Sequence, residues 1–486
     1  MKLGNLEFSA DKVLFWLLLA LLVWIPIPLG SNRVWAWSIM ELAVFVLVAS
    51  WLLLWVVGTV EAPDAVRKAW PALVIVAAWL LWLALSIVPL RPEWVEALSP
   101  EAARMQHLTD AIGVERNDMT LSVDTHASRA FLLKAAAYSG IFLLALALVN
   151  NRARVQTLAR VLVYAALLHS IYAVLMHLAD VRDEHFGAMI PHGSQASGTY
   201  VNRNHFAGYL EMMLAIGIGL LIAGLSDRRA DTWKKFISHM IEWILSPKMV
   251  LRLSLCVLVI ALTTTHSRMG NTAFFSALLV AGAIGIVLSR HATRNTVVLL
   301  ASLIAIDLFI VGSWFGVEKL AKRIEQTTIQ DVQEREEPAA YTLPMIKDYG
   351  MFGAGPGTFY VTFQRYRPEK ITAFFDWAHN DYAQLAAETG YVGFALMGSL
   401  VAMTLIVALI AQWRRRDPLM RGMSFACIMG VTSILIHSWV DFNLQIPANA
   451  VFFTILLALG WISLHLDRHV GDIPRRRVSG DTSRAN

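Results

Sequence analysis

Apolar runs of about 17 to 22 residues alternate along the chain with short polar segments, a length that matches the hydrocarbon thickness of a bilayer crossed by a helix. About twelve such runs recur, at 13–29, 37–57, 72–90, 130–148, 161–178, 205–224, 249–264, 273–288, 297–314, 392–411, 423–440 and 448–466. The pattern predicts an all-α integral membrane protein. The first run has the look of a signal peptide, because Val34-Trp35-Ala36 faintly resembles a cleavage site. Pro26, Pro28 and the even number of spans favour a retained helix.

The cations set the orientation. Alternate loops carry Arg67 and Lys68, Arg152 and Arg154, then Arg228, Arg229, Lys234 and Lys235, then Arg290 and Arg294, then Arg414 to Arg416, and finally Arg475 to Arg477. All of these fall on one side, which the positive-inside rule makes cytoplasmic. Both termini are therefore expected in the cytoplasm, and the two longest loops, 91–129 and 316–391, are expected to face outward. The division this predicts is a bundle with its first nine spans over 1–315, a large loop over 316–391, three last spans over 392–466 and a basic tail over 467–486.

Composition agrees with the pattern. The 486 residues are 57% hydrophobic and 16% charged, and a mean hydropathy of +0.54 excludes an ordinary soluble globule. The net charge of +5 does not point to nucleic acid, since the basic residues lie between apolar segments where topology requires them. Cys256 and Cys427, the only two cysteines, both lie in apolar runs, so neither a disulfide framework nor a cysteine metal site is indicated.

Chemistry concentrates in one polar, glycine-punctuated stretch, 351–393. Gly353, Gly355, Pro356 and Gly357 imply a tight backbone path, and Phe359, Tyr360, Phe363, Arg365, Tyr366 and Arg367 follow, an aromatic and cationic set suited to a sugar or phosphate. Then comes His379, just before a short helix with Asn380 as N-cap, Asp381 behind it and Gly390 as the stop. Tyr382, Leu385, Ala386 and Thr389 recur at helical spacing and predict its buried face. A histidine at a helix N-terminus is disfavoured from protonating and can serve as a base beside an anion. The plainer alternative is a hydrogen-bonded loop histidine at a membrane surface.

Further polar motifs fall on the same side. In GTYVNRNHFAGYL, Asn202 and Asn204 can cap the sixth span and place Arg203 at its mouth, where a guanidinium can grip a diphosphate. Glu211, about two turns deeper, requires a partner or a role in the site. THSRMGN puts Arg268 in a tight turn where topology disfavours a cation, which points to anion binding. His437 and Asp441 stand at i, i+4 and can pair on one helix face. The stretch Ser122, Asp124, His126 resembles no specific site, and 318–337, rich in both charges, reads as an amphipathic helix. No repeat, Walker loop, zinc spacing or nucleophile elbow is present. Polar elements gathered on one side suggest an enzyme site more than a two-sided transport path.

Taken together and in chain order, GTYVNRNHFAGYL, THSRMGN, GAGPGTF, HNDYAQ, AETG and HSWVDFNLQIPAN resemble the O-antigen ligase and O-antigen polymerase superfamily over about Gly198 to Pro447. The resemblance implies a GT-C-type membrane glycosyltransferase that moves a glycan from undecaprenyl diphosphate to an acceptor hydroxyl in the periplasm, without metal, cofactor or nucleotide sugar. It implies that His379 activates the acceptor and that Arg268 holds the diphosphate. Arg203 is the weaker match for a second arginine, because it stands where relatives often carry proline. Arg335 matches a basic position near the start of the loop, and Gly350 replaces a frequent proline. Asn380, Asp381, Glu211, Arg365, His437 and Asp441 are supporting candidates.

Displacing a lipid diphosphate from an anomeric carbon needs charge stabilisation and a base, which two arginines and a neutral histidine supply. The acceptor stays open between another lipid-linked repeat, lipid A-core and a protein hydroxyl. The different-class alternative is a transporter or flippase for a lipid-linked glycan.

Overall fold

The computed structural model describes residues 4–110, 117–180, 182–185, 188–191, 195–224, 247–288, 298, 301–302, 329–369 and 374–466. Sixteen α-helices and three short 3-10 helices make up the helical segments of these residues. The α-helices are α1 (Gly4–Trp24), α2 (Val34–Val56), α3 (Asp64–Lys68), α4 (Trp70–Leu85), α5 (Pro92–Leu98), α6 (Pro100–Asp110), α7 (Thr125–Leu148) and α8 (Arg152–Leu178). After them come α9 (Arg203–Ala223), α10 (Pro247–Thr264), α11 (Arg268–Leu288), α12 (Ile329–Tyr349), α13 (Phe359–Thr362), α14 (Asp381–Arg414), α15 (Pro418–His437) and α16 (Pro447–His465). A small antiparallel hairpin, β1 (Arg182–His185) with β2 (Ala188–Pro191), pairs Arg182 with Pro191 and His185 with Ala188.

Among the described residues, eight helices are long and apolar enough to cross a membrane, and Trp70–Leu85 and Met249–Thr264 are shorter apolar helices. Together with α1 they match the spans expected from hydropathy, while the span at 297–314 lies almost wholly outside the described residues. The protein is an all-α multi-pass membrane protein.

The centre of the bundle is α9, buried from Asn204 to Ile222, with α15 and α16 against it. Close approach of α9 and α15 depends on a pair of glycines: a Cβ on Gly219 would stand 2.2 Å from the Gly422 carbonyl, and one on Gly422 2.1 Å from the Gly219 carbonyl. Small residues at such a crossing let two backbones pack directly, the dominant attraction where lipid removes the hydrophobic drive. Around this core, α2 and α14 leave large apolar side chains exposed, as a lipid-facing surface requires.

Over one end of the bundle lies a second, separate core. It joins Val95, Ala102, Ala103, Met119 and Leu121 to Met345, Tyr349, Phe359, Phe363 and Ala378. The described parts of the two long polar loops expected from the sequence thus form a single capping layer. Arg365 ties its halves together through an ion pair with Glu101 on α6. Asp124 N-caps α7 by accepting from the His126 and Ala127 amides at 2.9 and 3.1 Å, and its other oxygen accepts from the Tyr360 hydroxyl at 3.1 Å. The Ser122 to His126 stretch is therefore a helix start and an anchor for the layer.

Candidate active site

The glycine run folds onto the first turns of α14. The Ala354 and Gly355 amides donate to the Ala387 and Glu388 carbonyls at 2.9 and 3.0 Å. Gly353 and Gly390 make this approach possible: both have left-handed φ, +76° and +67°, and a Cβ on either would stand within 2.3 Å of a carbonyl oxygen of the facing segment. A tight path at the glycines is what the sequence predicts. The run is no empty phosphate cradle, however, since the chain's own Glu388 carboxylate accepts the Phe359 amide at 3.0 Å.

Asn380 is the N-cap of α14, as expected, with its side chain accepting from the Ala383 amide at 2.9 Å. Gly390 also ends the first helical segment, and a further helical stretch to Arg414 resumes immediately after it. The buried face of that first segment differs from the expected one. Asp381, Gln384 and Glu388 are buried, whereas of the four expected residues Thr389 is buried and Tyr382, Leu385 and Ala386 are half-buried. The reason is hydrogen-bonding demand: loops on both sides point backbone N–H groups at this face, and only acceptors can satisfy them.

Each buried acceptor holds a different piece. Gln384 accepts from the Ala378 amide at 2.9 Å, next to His379. Asp381 accepts from the Ser438 hydroxyl at 2.7 Å and the Leu444 amide at 3.1 Å, pinning the turn between α15 and α16. Asn380 also donates to the Trp439 carbonyl at 2.8 Å.

His379 sits within this frame, half-buried. Its φ of +51° lies in the left-handed region, uncommon for a non-glycine residue and worth about 1–3 kcal/mol of strain that the surroundings must hold. Phe375 and Phe442 meet its ring edge-on, with centroids 6.1 and 4.8 Å away.

Beneath Phe442 lies a buried polar layer. Glu211, fully buried, finds the partner that the sequence demands: His437 Nδ1 is 2.7 Å from its Oε1, and the Ser433 hydroxyl donates to its Oε2 at 2.6 Å. His437 and Asp441 do not share a helix face, because α15 ends at His437 and the chain turns at Ser438. Asp441 faces His205 instead, with Oδ1 3.5 Å from Nε2, and accepts the Phe442 amide at 2.8 Å. Burial by itself would raise the Asp441 pKa, but the His205 and His437 imidazoles and the Phe442 amide hold it well below the usual carboxylate range.

The arginines begin two helices at this end. Arg203 opens α9 after its N-cap Asn202, and its guanidinium is hydrogen-bonded to Gln195. Asn204 is a buried residue of the first turn, its amide held by Asn202 at 2.8 Å. Arg268 opens α11 and is exposed; two residues on, Gly270 packs so close that a Cβ there would lie 3.2 Å from Glu211 Oε1. Arg335 falls in α12, but its side chain and the 318–328 part of the expected amphipathic helix lie outside the described residues. Arg365 serves the capping layer.

The family model described as O-antigen ligase matches residues 253–398. That segment is similar to the O-antigen ligase family. Comparison with curated proteins finds no match. The matched segment contains Arg268, Arg335, Arg365, His379, Asn380 and Asp381, together with Glu388. Glu211, His437, Asp441 and Arg203 come from outside it and are brought to it by the bundle. His205, which faces both Asp441 and Phe442, escapes a sequence reading, since a lone histidine in the first turn of an apolar helix has no spacing signal. Glu388 was visible only as part of the AETG string.

Proposed function

We propose that the protein transfers a glycan from an undecaprenyl-diphosphate donor to an acceptor hydroxyl at the periplasmic face of a bacterial inner membrane, with both termini in the cytoplasm. The observation that carries this reading is His379: inside the segment matched by the O-antigen ligase model, its backbone is left-handed at the N-terminal end of α14, between Ala378, whose amide Gln384 accepts, and the N-cap Asn380. In the proposed step, His379 takes the proton of the acceptor hydroxyl as that oxygen bonds to the anomeric carbon. The bond from that carbon to the diphosphate oxygen breaks, and undecaprenyl diphosphate leaves with the electron pair. Arg268, with Arg203, offsets the charge on the leaving diphosphate in place of a metal ion. Attack opposite the leaving group inverts the configuration at that carbon; a product linkage with the donor's configuration would exclude this course.

The test is complementation of a host strain defective in surface polysaccharide with wild type, His379→Ala and Arg268→Ala at matched membrane levels. Loss in both variants with capped single repeats accumulating assigns a polymerase, and loss with long unattached lipid-linked glycan assigns a ligase. Full activity in both variants defeats the reading and favours a transporter. Activity that persists in membranes treated with a chelator is expected from the arginine assignment.

A further inference from the structure

Phe442 lies in the turn between α15 and α16, and side chains from two other parts of the chain close on its ring. His379 meets it at 4.8 Å and 83°, and His205, from the first turn of α9, at 4.6 Å and 70°. Trp377 stacks on it at 5.7 Å and 17°. Two imidazoles therefore stand edge-on to one phenyl ring, the geometry that an aromatic quadrupole favours.

The ring itself is firmly held. It is only 8% exposed, and its backbone N–H is fixed by the Asp441 carboxylate, which in turn faces His205. Further along the turn, the Leu444 amide and the Gln445 side chain donate to Asp381 at 3.1 and 3.4 Å. Asp381 begins the helix that His379 precedes by two residues, and His205 follows Arg203 by two residues on α9. One phenyl ring thus spans from the loop carrying the proposed base to the helix carrying a proposed diphosphate ligand.

We propose that Phe442 is a positioning residue, which fixes the His379 imidazole at one spacing from the first turn of α9. The proposal rests on the reading of His379 as the base. Reaction rates of bound groups are steep in geometry, with a displacement of about 1 Å enough to cost on the order of a hundredfold. Leucine at position 442 would keep an apolar side chain but offer no flat face to either imidazole, whereas tyrosine would keep the ring.

The experiment compares wild type, Phe442→Leu, Phe442→Tyr, His379→Ala and the Phe442→Leu/His379→Ala double variant in membrane vesicles. The rate of consumption of the host's own lipid-linked glycan is read per folded molecule, and undecaprenyl diphosphate is the binding probe. Phe442→Leu is expected to slow turnover roughly ten- to hundredfold, with probe affinity within about twofold of wild type. Phe442→Tyr should retain most of the rate, and the double variant should be no slower than His379→Ala. Wild-type turnover in Phe442→Leu, a parallel loss of probe affinity, or additive losses in the double variant would each overturn the positioning role. Full activity in His379→Ala would defeat the base assignment itself, an arm read independently of Phe442.

Discussion

Glu388 illustrates how a single side chain can decide what a motif means. A glycine run followed by aromatics and cations invites an anion from outside, yet the chain supplies its own, and the Phe359 amide is satisfied from within. Glu388→Ala is therefore expected to strand buried donors and to cost about 1–3 kcal/mol, with Glu388→Gln much milder because an acceptor remains. Thermal midpoints of the purified variants in one detergent would measure both. Gly353→Ala should be at least as damaging, since its new Cβ would meet a backbone carbonyl that has no rotamer to escape into. Asp441 makes a prediction of the opposite kind. Its pKa is lower in the folded protein than in the unfolded chain, so its stabilisation is complete above the ordinary aspartate range and is lost only as pH falls through the lowered value. The difference in thermal midpoint between wild type and Asp441→Asn should accordingly survive at about pH 5 and shrink on further acidification, below the reference aspartate pKa of about 3.9. A difference that is unchanged by that acidification would contradict the assignment.

Among the elements, α14 separates what hydropathy reveals from what it conceals. Its cap at Asn380 and its interruption at Gly390 are legible, because each is a local rule of backbone chemistry. Which face goes inward is not legible: periodicity counts apolar positions, and here the face with Asp381, Gln384 and Glu388 is buried because it must accept hydrogen bonds from two loops. The spans of α9 and α15 are equally plain in the sequence, but the pairing of Glu211 with His437 joins residues 226 apart and leaves no local trace. The same limit hid His205. Replacing Asp381 with alanine should release the turn at 438–446, seen as faster hydrogen exchange at the Leu444 amide, while alanine at half-buried Ala386's neighbour Leu385 should leave that amide protected. Equal exchange in the two variants would mean that the turn is held by something other than the carboxylate.

At the scale of the whole molecule, the bundle and the capping layer are stabilised by different things. The bundle relies on close helix packing, and the layer relies on an apolar core of its own, with Arg365 and Glu101 as a partly exposed tie. Phe363→Ala is expected to destabilise the layer by about 3–5 kcal/mol, as truncation of a buried phenylalanine does. Arg365→Ala should cost less than this, because the guanidinium end of the pair remains about a third exposed (32%). Limited proteolysis between α5 and α6 would rank the two; the reverse ranking would show that the tie, not the core, holds the layer. The composition of that core also imposes an order of events during synthesis. Val95 and Ala102 emerge from the ribosome long before Phe363 and Ala378, at a pace of about 5–20 residues per second. For many seconds, then, the first half of the layer is bare apolar surface with its partner unmade, and a chaperone able to shield that segment would have its largest effect in this interval.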